Sequence, residues 1–428
     1  MTLKSSKVLY NKLSWNAVGW MLAFLPLACP GCLHYYLTGN MHVVLLLLIG
    51  LSGLFFLIAN ATKHLYDDYL RLIVLYCSIL VFSTIINKGN IGGSILTSVD
   101  NSFLSLSGLA AAISLFIKNK NLRGIELLLR YFEILIILNL ISVVMFPGGM
   151  YSTGQLENYF LGFENTHSTT FLFAIALAFV RDKLFYGDDY TSKETIALIV
   201  ICNLNVFLCT SVATIVQFVL LDFALIFCKP LMKTKIFSSY VAIGINFIIS
   251  VFLLFFYSIL SSQKWFHTFV VDVLGKDMTF MARTYIWDSF LLMISEKPIL
   301  GYGVNLDSLL QMSQQYMGFG SGSSHAHNEY LTNAYYGGIV MLCLLIIIIF
   351  KLAKVINKGK KDTFNWRMLV IFFLTMFFWN TESLHMPLQI ATFTIIYYMP
   401  LIEQRSQQLQ EMGKTHKKHK VRFKKVRV

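Results

Sequence analysis

The sequence predicts an all-α polytopic membrane protein of about twelve transmembrane helices, and three observations carry that expectation. Hydrophobic residues make up 56% of the 428 and charged residues only 13%, more apolar surface than a soluble core can hide. Apolar runs of about the twenty residues a bilayer requires recur from end to end, separated by short polar connections. The basic residues concentrate on alternate connections, the pattern that places positive loops on the inner side of a membrane.

The spans are expected near 15–34, 41–60, 71–86, 98–117, 125–146, 166–180, 194–209, 210–228, 236–260, 328–350, 368–380 and 387–402. The first ends in Cys29-Pro30-Gly31-Cys32. That spacing matches a redox or metal pair, but the second pair of a structural zinc site is missing, so a bent helix end is the better account. In the fifth, Arg130 and Glu133 stand at i, i+3 near the inner end, where they can pair. The seventh and eighth are divided only by Cys209-Thr210-Ser211, and a count of twelve needs a hairpin there. Asp222 on the eighth lies two turns from Lys229 and reads as a second local pair. A large external loop separates the ninth and tenth.

Both termini are expected in the cytoplasm. The outer segments then hold few basic residues: Lys88, Lys264, Lys276, Arg283 and Lys297. The formal charge of +13 comes mostly from inner loops and from a basic tail containing Lys414, Lys417, Lys418 and Arg422. Beside a last span, such a tail speaks for orientation and anionic headgroups rather than for nucleic acid. The N-terminus lacks the order of a removed signal peptide, so the first apolar run is expected to be retained. The chain divides into helices 1 to 9 (1–260), an external catalytic loop (261–327), helices 10 to 12 (328–402) and the tail (403–428).

Residues 279–331 are the polar island in this membrane sequence. Arg283 opens an expected helix over 283–296, and Trp287 follows at i+4 on the same face. A guanidinium beside an indole suits a phosphate next to a sugar ring. An ordinary interfacial pair would look the same. Pro298-Ile299-Leu300-Gly301-Tyr302-Gly303 is a glycine turn without the strand or Lys-Ser/Thr pair of a nucleotide loop. Further on, the flexible run 318–324 ends at His325-Ala326-His327-Asn328, where an apolar helix begins. A helix N-terminus attracts anions and favours a neutral imidazole, so His327 is placed to act as a base. Of the other histidines, His34, His42, His167, His267 and His385 are expected near the outer side and His64, His416 and His419 on the inner side. The acidic pairs Asp67-Asp68 and Asp188-Asp189 fall on the inner side, away from this base.

Three pieces recur in one order: Arg283-Thr284-Tyr285-Ile286-Trp287, then the 298–303 turn, then His327-Asn328-Glu329-Tyr330-Leu331 running into a helix with Gly337-Gly338. This order resembles the signature of the O-antigen ligase and Wzy-type polysaccharide polymerase superfamily. Leu161-Gly162-Phe163-Glu164-Asn165 is similar to an earlier external motif of that superfamily. One departure stands out: many members carry Ser-Arg after the central hairpin, where this chain reads Thr210-Ser211-Val212.

The resemblance implies a GT-C-like membrane glycosyltransferase of the bacterial plasma membrane that works without a metal or other cofactor. Its donor and acceptor would be undecaprenyl-pyrophosphate-linked oligosaccharides, with a flippase and a chain-length regulator as further partners. The expected activity is that of a surface-polysaccharide polymerase, for capsule or O-antigen. A sugar hydroxyl would displace the lipid pyrophosphate, with His327 as base and Arg283 on the leaving diphosphate. Trp287, Asn165, Gly301, Gly303, His325 and Asn328 are the expected substrate contacts. Three alternatives remain: a ligase delivering the finished glycan to a final acceptor, a lipid-linked oligosaccharide flippase, and a zinc hydrolase in which His167 or Glu329 joins His325 and His327.

Overall fold

The computed structural model describes residues 15–63, 65–91, 95, 98–119, 123–153, 156–187, 190–209, 211–234, 238–256, 263–268, 271–272, 280–304, 325–382 and 387–411. The 318–324 run, Lys276, His64, Asp188, Asp189, Thr210, His385 and residues 412–428 of the basic tail lie outside them.

Among the described residues there are fifteen α-helices and one small sheet. Helix α1 (Trp15–Phe24) tightens into a 3-10 turn, Leu25–Ala28, and the chain bends at Cys29-Pro30 before α2 (Gly31–Tyr36). Pro30 brings no amide hydrogen, and Gly31 N–H turns outward to the Leu161 carbonyl at 3.3 Å. A Cβ on Gly31 would sit 2.6 Å from that oxygen, so only glycine fits. Both cysteines of the pair are free.

Next come α3 (Asn40–Thr62), α4 (Asp68–Ile91), α5 (Gly108–Lys118) and α6 (Arg123–Met145). The part of the fourth expected span that precedes α5 is wound more widely, as π-type turns over Ser98–Ser107. After the sheet come α7 (His167–Tyr186), α8 (Lys193–Cys209), α9 (Val212–Phe227) and α10 (Ser239–Val251). Ser211 is extended between α8 and α9, so the segment that sequence left open is two helices. Short α11 (Lys264–Thr268), α12 (Phe280–Glu296), α13 (Glu329–Lys358), α14 (Thr363–Phe378) and α15 (Pro387–Tyr397) complete the set.

Among the described residues four helices are long and apolar enough to cross a membrane: Asn40–Thr62, Asp68–Asn87, Arg123–Met145 and Glu329–Lys358. Several shorter apolar helices pack with them. Their outer faces are bare hydrocarbon: Leu47, Leu51 and Ile58 on α3, Ile137, Ile141 and Val144 on α6, Phe223, Ile226 and Phe227 on α9. The i, i+3, i+4 spacing collects these side chains into continuous stripes, which water would penalise and lipid accepts. This is the construction of an integral membrane protein. In contrast, α7 and α14 are buried along most of their length and form the centre of the packing.

Two features depart from a bundle of plain helices. Between α6 and α7 the chain forms a three-stranded antiparallel sheet, β1 (Tyr151–Thr153), β2 (Leu156–Tyr159) and β3 (Gly162–Phe163), with Tyr151 opposite Asn158. The protein is therefore mostly helical rather than wholly so. Helix α13 is also broken at Gly338, whose φ is +63°. The 298–303 turn fills the break: Tyr302 and Gly303 donate to the Tyr335 and Tyr336 carbonyls at 2.8 Å, and Ile339 donates to Pro298 at 2.8 Å. Backbone groups freed by the break are thereby satisfied inside the apolar packing.

The ends of α4, α5, α7, α8, α13 and α14 away from the site carry paired charge. Lys118 meets Asp67 at 3.0 Å, and Lys183 meets Asp362 at 2.9 Å. Buried Arg181 reaches Glu194 at 3.0 Å. Arg130 and Glu133 pair at 2.6 Å, as their spacing predicted. Asp222 accepts from Asn203 Nδ2 at 3.3 Å, a partner on the facing helix that local spacing could not reveal.

Candidate functional site: a buried carboxylate between an arginine and a histidine

The site is built at helix ends. Four residues after α14 stops, the turn 379–382 presents Glu382, and this turn is stitched to the start of α13. Glu329 N–H donates to the Trp379 carbonyl at 2.9 Å, and Asn328 Nδ2 donates to the Asn380 carbonyl at 3.3 Å. Asn328 is also the N-cap of α13, with its side-chain oxygen taking Leu331 N–H at 3.1 Å. It is fully buried. Its amide is committed to the backbone rather than presented as the substrate contact expected from sequence.

Helix α12 approaches from the side. Ile286, Trp287, Phe290 and Met293 form its buried face, packed with Tyr302, Ala326, Leu331 and Tyr335. Trp287 is only 1% exposed, and its indole N–H donates to the Ala326 carbonyl at 2.9 Å. Here the ring is a buttress that holds the His325-Ala326-His327 backbone, not an open wall for a sugar. Arg283, one turn earlier, projects past this packing into the 379–382 turn.

Glu382 is the centre. Its side chain is 1% exposed, and three side chains converge on it. Arg283 Nη2 lies 2.7 Å from Oε1, Asn165 Nδ2 donates to Oε1 at 3.0 Å, and His327 Nδ1 lies 3.1 Å from Oε2. Arg283 Nη1 also donates to the Thr381 carbonyl. Burial by itself would raise the Glu382 carboxyl, but the His327 hydrogen bond and the Arg283 charge outweigh it and hold the group below the usual glutamate value. An ionised carboxylate only accepts hydrogen bonds, so Nδ1 of His327 carries the proton. In the neutral form of the ring with that proton, the lone pair is on Nε2.

Asn165 is steered in turn by Ser211, whose hydroxyl donates to its side-chain oxygen. The amide nitrogen is thus turned toward Glu382. Ser211 stands at the hairpin between α8 and α9 and acts through a neutral hydrogen bond.

His327 has a φ of +47°, the one left-handed non-glycine residue among those described. Such a backbone costs about 1–3 kcal/mol and persists only where its surroundings impose it, as the Trp287–Ala326 bond and the Asn328 cap do. His325 lies against it, ring centroids 4.0 Å apart. Arg283 and His327 keep 20% and 24% of their side chains exposed, whereas Glu382 beneath them is closed off.

The structure therefore joins Arg283, His327, His325 and Asn165 at one centre. Gly301 and Gly303 serve differently. Both have positive φ, and a Cβ would lie 2.3 Å from the Tyr335 carbonyl oxygen or 2.4 Å from Thr84 Cα. They lock the 298–303 turn into α13 and α4 rather than line the Glu382 centre. Glu382 was missed by sequence because it lies far along the chain from the motifs. Its one available signal was a carboxylate immediately after an apolar run.

His325, His327 and Glu382 bring ligand atoms within 4.8 Å of one another, a set able to take a metal ion. The third ligand expected from sequence was different. His167 is buried with Nε2 3.0 Å from the Gly162 carbonyl oxygen, and Glu329 holds Asn333 at 3.0 Å. In the observed arrangement both Glu382 oxygens are engaged by protein donors, so a cation would have to displace His327 or compete with Arg283.

No curated protein matches the chain. A family model described as "O-Antigen ligase" matches residues 196–346, a stretch that holds Arg283, Trp287, His325, His327 and Asn328 and leaves Asn165 and Glu382 outside. Over residues 196–346 the chain is thus similar to the O-antigen ligase family.

Proposed function

We propose that this protein is a bacterial surface-polysaccharide polymerase, inverting and independent of metal. It would work at the outer face of the plasma membrane, with about twelve spans in a GT-C-like arrangement, cytoplasmic termini, and the catalytic loop between the ninth and tenth spans. The observation that carries the reading is the single carboxylate of Glu382 holding both Arg283 and His327.

The acceptor is a sugar hydroxyl on one lipid-linked unit, and the donor is a glycan on undecaprenyl pyrophosphate. His327 Nε2 takes the hydroxyl proton as the oxygen attacks the anomeric carbon from the face opposite the leaving group. The new carbon–oxygen bond forms as the bond to the pyrophosphate breaks, and the electron pair leaves with the lipid diphosphate. Glu382 steadies the imidazolium so formed, in the manner of the acid behind a catalytic histidine. The exposed part of the Arg283 guanidinium meets the developing phosphate charge, a role that a planar fork fills without a metal. No nucleotide sugar is available on that face, so the donor arrives already activated on lipid.

The test uses purified protein in lipid with an undecaprenyl-pyrophosphate-linked repeat unit. Polymerisation predicts a ladder of longer lipid-linked glycans, unchanged by EDTA, with the new anomeric configuration inverted. The similarity of residues 196–346 to O-antigen ligases favours a ligase as the second reading. A ligase would leave the repeat unit unextended and move it to a separate final acceptor. Sugar crossing the bilayer without new glycosidic bonds would instead mark a flippase. Loss of elongation in EDTA with rescue by zinc would move the chemistry to the His325, His327 and Glu382 metal set.

A further inference from the structure

A cavity of about 660 Å³ lies between the α1–α2 bend, α3, α6 and the turn leading into α7. Its wall is mixed. Ile49, Phe132 and Leu135 provide apolar surface, and His34, Thr166 and Thr169 bring polar groups. One edge is Thr166, next in the chain to Asn165, which holds Glu382 at 3.0 Å. The cavity therefore adjoins the Glu382 centre through the α7 entry turn.

Another edge is Tyr151 of β1, which stacks on Tyr35 with ring centroids 4.4 Å apart and planes at 24°. Tyr36 meets Tyr151 edge-on at 5.7 Å and donates its hydroxyl to the Met150 carbonyl at 3.4 Å, which ties α2 to the sheet. Tyr35 and Tyr36 remain 42% and 53% exposed. A cluster of exposed tyrosines, continuous with a cavity that mixes hydrocarbon with hydroxyl and imidazole groups, has the chemistry of a sugar platform. The C–H face of a pyranose rests on a ring, and its hydroxyls find partners at the polar wall. A polyprenyl tail would strand those polar groups in hydrocarbon, at a cost a purely apolar groove avoids.

We propose that this cavity is a glycan subsite that holds sugars one or more units away from the reacting bond, with Tyr35 and Tyr151 as its stacking platform. The proposal rests on the glycosyl-transfer reading of the adjoining centre. It gives the small sheet a purpose: β1 carries the platform, and β3 leads directly into the turn that supplies Asn165.

The test measures binding apart from turnover. Lipid-free oligosaccharides are released by mild acid from the surface polysaccharide of the source cells, fractionated by size, and titrated into full-length protein in nanodiscs by saturation-transfer NMR. The wild type is expected to bind chains of several units. Tyr35→Ala, and Leu46→Trp to fill the cavity, should each weaken binding about tenfold, while Tyr35→Phe retains it. His327→Ala should bind as the wild type does.

Equal affinity in all variants would overturn the subsite and leave the tyrosines as interfacial anchors. Displacement of the oligosaccharide by sugar-free undecaprenyl phosphate would also overturn it, because the cavity would then be a lipid pocket. If elongation depends on His327 but the platform variants bind normally, the subsite falls and the transfer reading stands. If binding follows the expected pattern but the wild type forms no glycosidic bond, the transfer reading falls and the subsite stands.

Discussion

Glu382 Oε2 lies 3.1 Å from His327 Nδ1, beneath a histidine whose backbone is held at a φ of +47°. The same carboxylate takes Arg283 through its other oxygen, so base and cation are positioned by one buried group. Motion of that group would disturb both.

Replacing Glu382 by Gln keeps its volume and removes its charge. The imidazolium then loses its counter-charge, and kcat for elongation is expected to fall about 10²- to 10⁴-fold. KM for the lipid-linked unit should change far less. A purified-enzyme rate series on Glu382→Gln checks this, and a fall confined to KM would count against the role.

Arg283→Ala is expected to damage folding as well as chemistry, because it leaves a buried carboxylate without its cation, a loss of about 3–5 kcal/mol. The double variant Arg283→Ala/Glu382→Gln should recover much of the thermal stability but none of the activity. Recovery of elongation in the double variant would remove Arg283 from the reaction.

Acid should weaken the same cluster. Glu382 titrates below its unfolded value, so its contribution to stability is complete above the usual glutamate value of 4.5 and is lost as pH falls through the lowered folded value. Thermal stability of the solubilised wild type should therefore decline in that acid range. Glu382→Gln should show a shallower decline, and parallel curves would contradict the assignment.

Gly338→Ala tests the broken helix. The added Cβ would stand 2.2 Å from the Ile299 carbonyl oxygen on a backbone with φ +63°. A loss of at least about 1–3 kcal/mol is expected from the backbone conformation alone, read as a lower melting temperature of the solubilised protein. A nearby exposed change such as Ile339→Ala should be tolerated better.

Periodicity and length made the helices readable, since a lipid-facing stripe has to be apolar whatever it packs against. The α8–α9 division was legible only as an alternative, because Ser211 is the sole described interruption between two apolar runs. The break in α13 needed tertiary information: Gly337-Gly338 in an apolar run does not say that the 298–303 turn will fill the gap. The same holds for Trp287. Its i+4 relation to Arg283 places both on one side of α12 but does not say which of them ends beneath other side chains. Glu382 was the least legible, because its meaning comes from Asn165, Arg283 and His327, which reach it from three other parts of the chain.

The most direct test is single-turnover elongation of an undecaprenyl-pyrophosphate-linked repeat unit by folded, purified His327→Ala beside the wild type. Glycosidic bond formation should fall by at least about 10²-fold in His327→Ala while donor binding is retained. Bond formation at the wild-type rate in His327→Ala would contradict the assignment of His327 as the base.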